Sequence, residues 1–220
     1  MSEKLIIAVP KGRILEELLP LFNKAGIVPE DEFFDPKSRL LRFNTNKNNI
    51  DIIRVRSFDV VTFVAFGAAS IGVAGSDVVM EFDSNDVYSL LDLEIGKCRM
   101  SVAATKGLIK EEDPSRWSHI RVATKYPRIT KEFFAQRGVQ TECVKLNGAM
   151  ELAPKLGLCR RIVDLVSTGA TIKSNGLEEV EKITDVSSRL IVNRTALKTR
   201  NNEINEIVEG FKGAIDGKNS

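Results

Sequence analysis

Apolar residues occur along the chain in short runs that alternate with amphipathic segments. Residues 5–9 form an apolar run that ends at Pro10, Lys11 and Gly12, which predicts a buried strand followed by a turn. From residue 13 to 25 the apolar side chains recur every three or four positions and Gly26 follows, which predicts a helix with its C-terminal cap. Pro20 lies inside this helix and predicts a kink, because proline cannot donate the usual backbone hydrogen bond.

The same alternation continues along the rest of the chain. It predicts strands at 50–55, 70–74, 99–104, 120–123, 141–146, 161–166 and 189–193, and helix-like segments at 60–66, 86–91, 130–136, 150–156 and 202–215. Residues 106–117 are a polar connection, after which the pattern restarts. The alternation predicts parallel sheets with crossover helices. The restart predicts two α/β domains with a ligand cleft between them, at the carboxyl ends of the strands.

Composition and charge exclude several classes of protein. The chain has 220 residues, of which 43% are hydrophobic and 28% charged, so it is an ordered protein that can bury a core. Its 32 Lys and Arg against 30 Asp and Glu leave a net charge of +2, which is too balanced for a general nucleic-acid or membrane-surface binder. No apolar run is long enough for a bilayer or an export signal, and the three cysteines form no CxxC pair. We therefore expect a cytoplasmic protein without disulfides, a zinc site or a membrane anchor.

The strongest chemical signal is the segment Ile162-Val-Asp-Leu-Val-Ser-Thr-Gly-Ala-Thr171. An apolar strand carries an acid, Asp164, and leads through a turn of small residues into a helical segment. Backbone N–H groups and hydroxyls at such a turn can hold a phosphate, since Gly169 permits close approach and an unusual φ. Asp164 and the Ser167 hydroxyl are suited to ribose hydroxyls or a magnesium ion. The alternative is an ordinary helix start with serine and threonine as caps.

This segment and the run before it, Lys145-Leu-Asn-Gly-Ala-Met-Glu-Leu-Ala-Pro-Lys-Leu-Gly-Leu158, resemble the signature of the ATP phosphoribosyltransferases that open histidine biosynthesis. Further segments that resemble the same family follow in the family's order, at residues 8–16, 67–78, 90–93, 121–127 and 187–193. The first of them reads Ala8-Val-Pro-Lys-Gly-Arg-Ile-Leu-Glu16. The resemblance therefore covers nearly the whole chain.

The resemblance implies the fold of type II periplasmic binding proteins, in which the chain crosses between two α/β domains and returns to the first. Domain I is then expected at residues 1–100 plus 187–220, on the ATP side, and domain II at 101–186, with the phosphoribosyl pyrophosphate loop. The implied reaction joins N1 of the adenine of ATP to C1 of phosphoribosyl pyrophosphate and releases pyrophosphate. Adenine N1 is already a nucleophile, so catalysis would rest on positioning and on cations near the leaving group. Mg²⁺ is expected to bind mainly through the substrate phosphates, without a metal site built by the protein.

The resemblance also implies roles for individual residues. Arg13 and Arg39 are the expected catalytic cations. The expected ATP-binding residues are Lys11, Arg13, Arg56, Asp77 and Glu151. The expected phosphoribosyl pyrophosphate-binding residues are Asp164, Ser167, Thr168, Gly169, Ala170 and Thr171. Without the resemblance, each arginine reads as a solvated surface charge, Asp77 and Glu151 read as acids at helix starts, and the single histidine, His119, reads as a surface residue.

Partners are also implied by the resemblance. The chain ends soon after the helix predicted at 202–215, so it resembles the short form of the family, which lacks the C-terminal domain that binds histidine. The short form works with a separate regulatory subunit similar to histidyl-tRNA synthetase, and a homodimer within a hetero-oligomer is expected. One departure from the family pattern, Cys159-Arg160-Arg161 after Leu158, receives no role from the sequence.

Two alternative functions remain open. A solute-binding or effector-sensing module could share the fold, because fold does not fix function. Such modules need no phosphate loop, and neither an export signal nor a DNA-binding segment precedes Leu5. A nucleobase phosphoribosyltransferase of the unrelated Rossmann-like type also places an acid before Thr-Gly. Its loop carries two adjacent acids, however, whereas Asp164 stands between Val163 and Leu165.

Overall fold

The chain folds into two compact units. The computed structural model describes residues 4–112 and 118–217. Unit 1 comprises Met1–Gly96 and Ser187–Ser220, and unit 2 comprises Lys97–Val186. The first crossing falls a few residues before the predicted boundary, because Cys98–Thr105 is one continuous strand of the second sheet. The division into an ATP side and a phosphoribosyl pyrophosphate side stays a prediction.

Unit 1 is built on a six-stranded mixed sheet of order β2-β3-β1-β4-β11-β5. Strands β1, β3 and β4 run parallel, whereas β2, β11 and β5 each pair antiparallel with a neighbour. Its elements are β1 Leu5–Pro10, α1 Arg13–Lys24, a 3₁₀ turn Asp31–Phe34, β2 Arg42–Asn44, β3 Ile50–Val55, α2 Ser57–Ala65, β4 Ile71–Gly75, α3 Ser76–Phe82, β5 Val87–Asp92, β11 Ser188–Asn193, α8 Arg194–Thr199 and α9 Asn201–Asp216.

Helices cover this sheet with two apolar clusters. In the larger cluster, α1 and α9 meet where the rings of Phe22 and Phe211 pack edge to face, with centroids 5.4 Å apart. In the smaller cluster, α2 lies very close to β4, since a Cβ at Gly72 would be 2.8 Å from both Val60 Cγ1 and Val64 Cγ2. Helix packing in these two clusters therefore holds the sheet in place, including the strand ends that carry polar residues.

Unit 2 is built on a five-stranded mixed sheet of order β10-β6-β9-β7-β8. Its apolar cluster includes Ala103, Ala123 and Ile162 from the strands, together with Met150 and Ile172 from the helical side. The elements are β6 Cys98–Thr105, α4 Leu108–Glu111, β7 His119–Thr124, α5 Pro127–Ala135, β8 Gln140–Lys145, α6 Leu152–Lys155, β9 Arg161–Val166, α7 Ala170–Ser174 and β10 Leu177–Val186. Residues 113–117 of the predicted polar connection lie outside the described residues.

The predicted α/β class is confirmed, but the prediction of parallel sheets is only partly correct. Strand β7 is parallel to β8 and β9, whereas β6 pairs antiparallel with both β9 and β10. Parallel neighbours in a sheet need a crossover connection, whereas antiparallel neighbours do not. Strands β6 and β11 are the first strands after the chain passes from one unit to the other, so no crossover helix leads into them from a strand of their own sheet.

The helix-like segment predicted at 86–91 is wrong, because Val87–Asp92 is strand β5. The spacing of Val87, Leu90 and Leu91 fits one face of a helix. Strand β11, however, pairs along its second edge with β5, and this long-range pairing prevails over the local pattern. The helix of this region is α3, directly after β4.

In the segment Cys159-Arg160-Arg161, which departs from the family pattern, both arginines form ion pairs at the end of α4. Arg160 contacts Glu111 and Glu112, each at 2.7 Å, and the buried Arg161 also pairs with Glu112. The Cys159 thiol donates to the Arg161 carbonyl at 3.0 Å, and burial raises the pKa of this thiol. These residues therefore tie the start of β9 to the segment after β6. Within the residues described, no helix is both long and apolar enough to cross a membrane.

Candidate active site

The carboxyl ends of the parallel strands in unit 1 carry a group of cations. Pro10 is in register with Val55 at the ends of β1 and β3, and the Lys11 N–H continues the pairing by donating to the Val55 carbonyl at 3.1 Å. Lys11 and Arg56 therefore follow neighbouring strands at the same edge of the sheet. Both side chains are exposed.

Arg13 and Arg39 belong to the same edge. Arg13 is the first residue of α1, two positions after Lys11. Arg39 precedes the antiparallel strand β2, and the Arg54 N–H donates to the Leu41 carbonyl at 2.9 Å, which places the residues before β2 next to the carboxyl end of β3. Four of the residues that the sequence predicts for ATP and the leaving pyrophosphate therefore follow or flank strand ends at one edge of this sheet.

These cations are available to an anionic ligand. Arg13 has a long, exposed contact of 3.6 Å with Glu17 one helical turn away. In the described part of the chain, the side chains of Lys11, Arg39 and Arg56 have no polar partner. Exposed cations at one sheet edge repel one another, so the three that have no acidic partner among the described residues favour a polyanion.

Arg54, a further cation at the end of β3, is held within the fold. Its Nη1 donates to the Phe33 carbonyl at 3.1 Å, and its guanidinium carbon lies 5.0 Å from the centre of the Phe43 ring. The aromatic contact and the hydrogen bond give Arg54 a packing role.

Asp77 lies in the first turn of α3, directly after β4. It is only 4% exposed, and a Cβ at Gly75 would lie 2.0 Å from its Oδ1. The carboxylate therefore folds back over the start of its own helix, and only glycine leaves room for it. Among the predicted ATP-binding residues in unit 1, Asp77 is the least accessible.

In unit 2, the predicted phosphoribosyl pyrophosphate residues line one pocket of about 280 Å³. The pocket is formed by Glu151 and by residues 164–172, so it contains every residue that the sequence predicts for this substrate. Glu151, which is predicted to bind ATP, belongs to the same pocket. It precedes α6 and is half-buried.

Local interactions shape the loop between β9 and α7. The buried side chains of Val166 and Ile172 anchor its two ends in the core of unit 2. Gly169 has φ +78°, a left-handed conformation that glycine adopts without strain. The Thr168 hydroxyl accepts a hydrogen bond from the Ala170 N–H at 3.3 Å, which tightens the turn.

The polar groups of the loop differ in whether they are engaged within the protein. Asp164 Oδ1 accepts from the Leu165 N–H at 2.8 Å. In the described part of the chain, the hydroxyls of Ser167 and Thr171 have no partner, and both residues are exposed. A loop that offers free hydroxyls and successive backbone N–H groups around a left-handed glycine is suited to bind a phosphate.

Arg99, which has no predicted role, contacts this loop and is in turn held by Glu179. Arg99 Nη1 donates to the Ser167 carbonyl at 3.1 Å, and Glu179 holds the same guanidinium. Strand β10, which carries Glu179, has five charged residues among its ten and two register shifts against β6. It therefore lacks the apolar alternation by which a strand is recognised, and nothing in its local sequence indicates that Glu179 pairs with Arg99.

An α/β protein with exposed cations at one sheet edge and a phosphate-type loop has the features of an enzyme that handles phosphorylated substrates. The sequence profile of the family described as ATP phosphoribosyltransferase matches residues 56–213. The chain belongs to this family.

Curated relatives match over nearly their whole length. The ATP phosphoribosyltransferase of Paramagnetospirillum magneticum is 66% identical over 216 residues, which cover 98% of this chain and 99% of the relative. That of Rhizorhabdus wittichii is 63% identical over 220 residues, which cover 100% of both chains.

A solved structure shares the fold. In the ATP phosphoribosyl transferase (HisG:HisZ) complex from Thermotoga maritima, the matching chain has a TM-score of 0.81 and 29% identity. The match covers 97% of this chain and 99% of that one. The fold implied by the sequence resemblance is confirmed.

Proposed function

We propose that the chain is an ATP phosphoribosyltransferase, which transfers the 5-phosphoribosyl group from phosphoribosyl pyrophosphate to N1 of the adenine of ATP and releases pyrophosphate, the first step of histidine biosynthesis. The observation that carries this proposal is the pocket of about 280 Å³ in which Asp164, Glu151 and the loop 167–171 meet. Family membership supports the choice of reaction, and the cations of unit 1 support a polyanionic second substrate.

The loop is assigned to the phosphoribosyl group. The backbone N–H groups around Gly169 and the free hydroxyls of Ser167 and Thr171 would hold the 5-phosphate. Asp164 would accept hydrogen bonds from the ribose hydroxyls. Charge-assisted hydrogen bonds of this kind are worth about 1.5–3 kcal/mol each, so a few of them suffice for micromolar binding.

The cations of unit 1 are assigned to ATP and to the leaving group. Lys11 and Arg56 would bind the phosphates of ATP, with Asp77 and Glu151 as the acids predicted for its adenine or ribose. Arg13 and Arg39 would stabilise the pyrophosphate as its bond to C1 breaks. Adenine N1 attacks with its own lone pair, so no side chain is required as a strong base. The protein contributes positioning and preorganised charge, which are the main sources of catalysis in transfers of this type.

Mg²⁺ is assigned to the substrate phosphates. Among the described residues, no group of three or more acidic, histidine or cysteine side chains surrounds a common point. Glu151 and Asp164 do line the loop pocket, and one or two carboxylates together with substrate phosphates are the usual ligands of Mg²⁺. The ion would neutralise charge on the pyrophosphate when bound.

The regulatory partner also belongs to the proposal. The solved complex that shares this fold is titled a HisG:HisZ assembly, which supports a separate regulatory subunit for this chain. The relatives in which 99% and 100% of the length is matched support the short form of the family. We further propose that the short form assembles as a homodimer within the hetero-oligomer, in the cytoplasm.

A direct assay tests the proposed reaction. The purified chain is incubated with ATP, phosphoribosyl pyrophosphate and MgCl₂, and the ultraviolet absorbance change that accompanies substitution at adenine N1 is followed. We expect the signal only when both substrates are present. A nucleobase in place of ATP serves as the control for the alternative phosphoribosyltransferase class. Product from the nucleobase and none from ATP would contradict the proposal.

A further inference from the structure

Arg99 connects the sheet of unit 2 to the loop between β9 and α7. It lies near the start of β6, opposite Val166, the last residue of β9. Its Nε and Nη2 donate to the two carboxylate oxygens of Glu179, each at 2.6 Å, and its Nη1 donates to the Ser167 carbonyl at 3.1 Å. All three nitrogens of one guanidinium are therefore engaged, and one of them holds the first residue of the loop.

Glu179 is itself fixed. The hydroxyl of Ser101, which is fully buried in β6, donates to Glu179 Oε1 at 2.7 Å. The hydrogen bonds from Arg99 and then from Ser101 lower the pKa of Glu179 to about 2. The carboxylate therefore stays charged throughout the physiological range of pH, and the fork-shaped pair keeps a single geometry.

The contact of Arg99 with the Ser167 carbonyl also orients the N–H of the next residue, Thr168. The peptide bond between Ser167 and Thr168 is planar, and in a trans peptide the C=O and the N–H point in opposite directions. A carbonyl directed at Arg99 therefore directs the Thr168 N–H to the opposite side of the loop. That N–H is one of the backbone donors available to a phosphate.

We propose that Arg99, held in place by Glu179, is a positioning residue that presets the phosphate loop for phosphoribosyl pyrophosphate. The inference rests on the proposed function, because it takes the loop 167–171 as the site of the phosphoribosyl group. Arg99 acts through the backbone of Ser167.

A second cross-strand ion pair in the same sheet provides the matched control. Arg121 on β7 donates from Nε to Glu142 on the neighbouring strand β8 at 2.8 Å, and this hydrogen bond raises the pKa of Arg121. The pair joins two strands as Arg99 and Glu179 do, but Arg121 bonds to the neighbouring strand, whereas Arg99 also donates to the Ser167 carbonyl of the loop. If Arg99 served only to pair strands, loss of either arginine would have the same consequences.

The test compares Arg99→Gln, Arg99→Lys and Arg121→Gln in the full-length chain, with the Michaelis constants of both substrates and the thermal midpoint measured for each. We expect Arg99→Gln to raise the KM for phosphoribosyl pyrophosphate about 10-fold or more and to leave the KM for ATP nearly unchanged, because displacement of a positioning group by about 1 Å can cost up to 10²-fold. Arg99→Lys should also raise the KM for phosphoribosyl pyrophosphate, since an ammonium group cannot make both bonds to Glu179 and the bond to the Ser167 carbonyl in the same geometry. Arg121→Gln should leave both constants unchanged.

Failure of this inference is distinguishable from failure of the proposed function. If the unmodified chain forms no product from ATP and phosphoribosyl pyrophosphate, the function itself is wrong. If the unmodified chain is active and Thr168→Ala weakens phosphoribosyl pyrophosphate binding, the loop assignment stands. In that case an unchanged KM in Arg99→Gln, or full activity in Arg99→Lys, would overturn the role of Arg99. Should Arg99→Gln fold poorly, Glu179→Gln and Arg99→Lys answer the same question.

Discussion

Removal of the Thr171 hydroxyl separates a binding role from a structural one. Thr171 is exposed in the first turn of α7, and its hydroxyl has no partner in the described part of the chain. Thr171→Val keeps the shape of the side chain, so the free energy of unfolding without ligand should change by at most about 0.5 kcal/mol. If the hydroxyl binds the 5-phosphate, its loss costs about 1.5–3 kcal/mol of binding, or about a 10- to 150-fold higher Kd.

Thermal unfolding with and without phosphoribosyl pyrophosphate measures this difference. At a ligand concentration of about 100 times the Kd of the unmodified chain, binding stabilises that chain by about 2.7 kcal/mol. A variant that binds about 100-fold more weakly gains only about 0.4 kcal/mol under the same conditions. For a chain of this size, the corresponding shifts of Tm are about 5–11 °C and about 1–2 °C.

Ser174→Ala is the matched control. Ser174 is also exposed in α7, but it does not line the loop pocket. Its replacement should leave the ligand-induced shift at the value of the unmodified chain. An undiminished shift in Thr171→Val, or an equal loss in Ser174→Ala, would refute the assignment of the loop.

The arginines of unit 1, the response to histidine and the pair of Arg99 with Glu179 can each be tested. Arg13→Ala and Arg39→Ala should each lower the single-turnover rate by about 10²-fold or more, because stabilisation of departing pyrophosphate acts mainly in the transition state. The control Lys47→Ala should leave this rate unchanged. Normal single-turnover rates in both arginine variants would show that the arginines are only surface charges. The isolated chain should be active and insensitive to millimolar histidine in steady-state assays, since in the proposed short form inhibition would act through the regulatory subunit; strong inhibition of the isolated chain would contradict the short-form assignment. The pKa of Glu179 is lowered to about 2 in the folded chain, so the stability that its pair with Arg99 contributes is present above the ordinary pKa of 4.5 and is lost as the pH falls towards 2. The urea midpoints of the unmodified chain and of Glu179→Gln should therefore differ at pH 7 and converge near pH 2. A difference that stays constant with pH would disprove the coupling.

Features that depend on neighbouring residues could be predicted from the sequence. Strand β9 is found at the predicted residues 161–166, and α1 begins at Arg13 as predicted, because each has a strong local pattern of apolar residues. The loop after β9 could be predicted from a local signal too, because a run of small residues that includes a glycine directly follows the strand. His119 is exposed, so its prediction as a surface residue is confirmed.

Features that depend on distant residues could not be predicted. The pattern at 86–91 favours a helix by itself, and only its pairing with β11 makes it a strand. Strand β10 lies at the edge of its sheet, where charged residues are tolerated and the apolar alternation disappears. Arg99 and Glu179 are 80 positions apart, so no local pattern indicates that they share the geometry of the loop. The roles of the predicted site residues stay predictions until variants are measured.

The identity of the bond that the chain forms tests the central claim most directly. The product of ATP and phosphoribosyl pyrophosphate is isolated, and the released pyrophosphate is quantified. Long-range proton–carbon NMR correlations then locate the atom to which the new ribose is attached. We expect one pyrophosphate for each product molecule and a new anomeric proton that correlates with both C2 and C6 of adenine, the carbons that flank N1. A ribose attached elsewhere, or pyrophosphate released without a new bond to adenine, would contradict the proposed reaction.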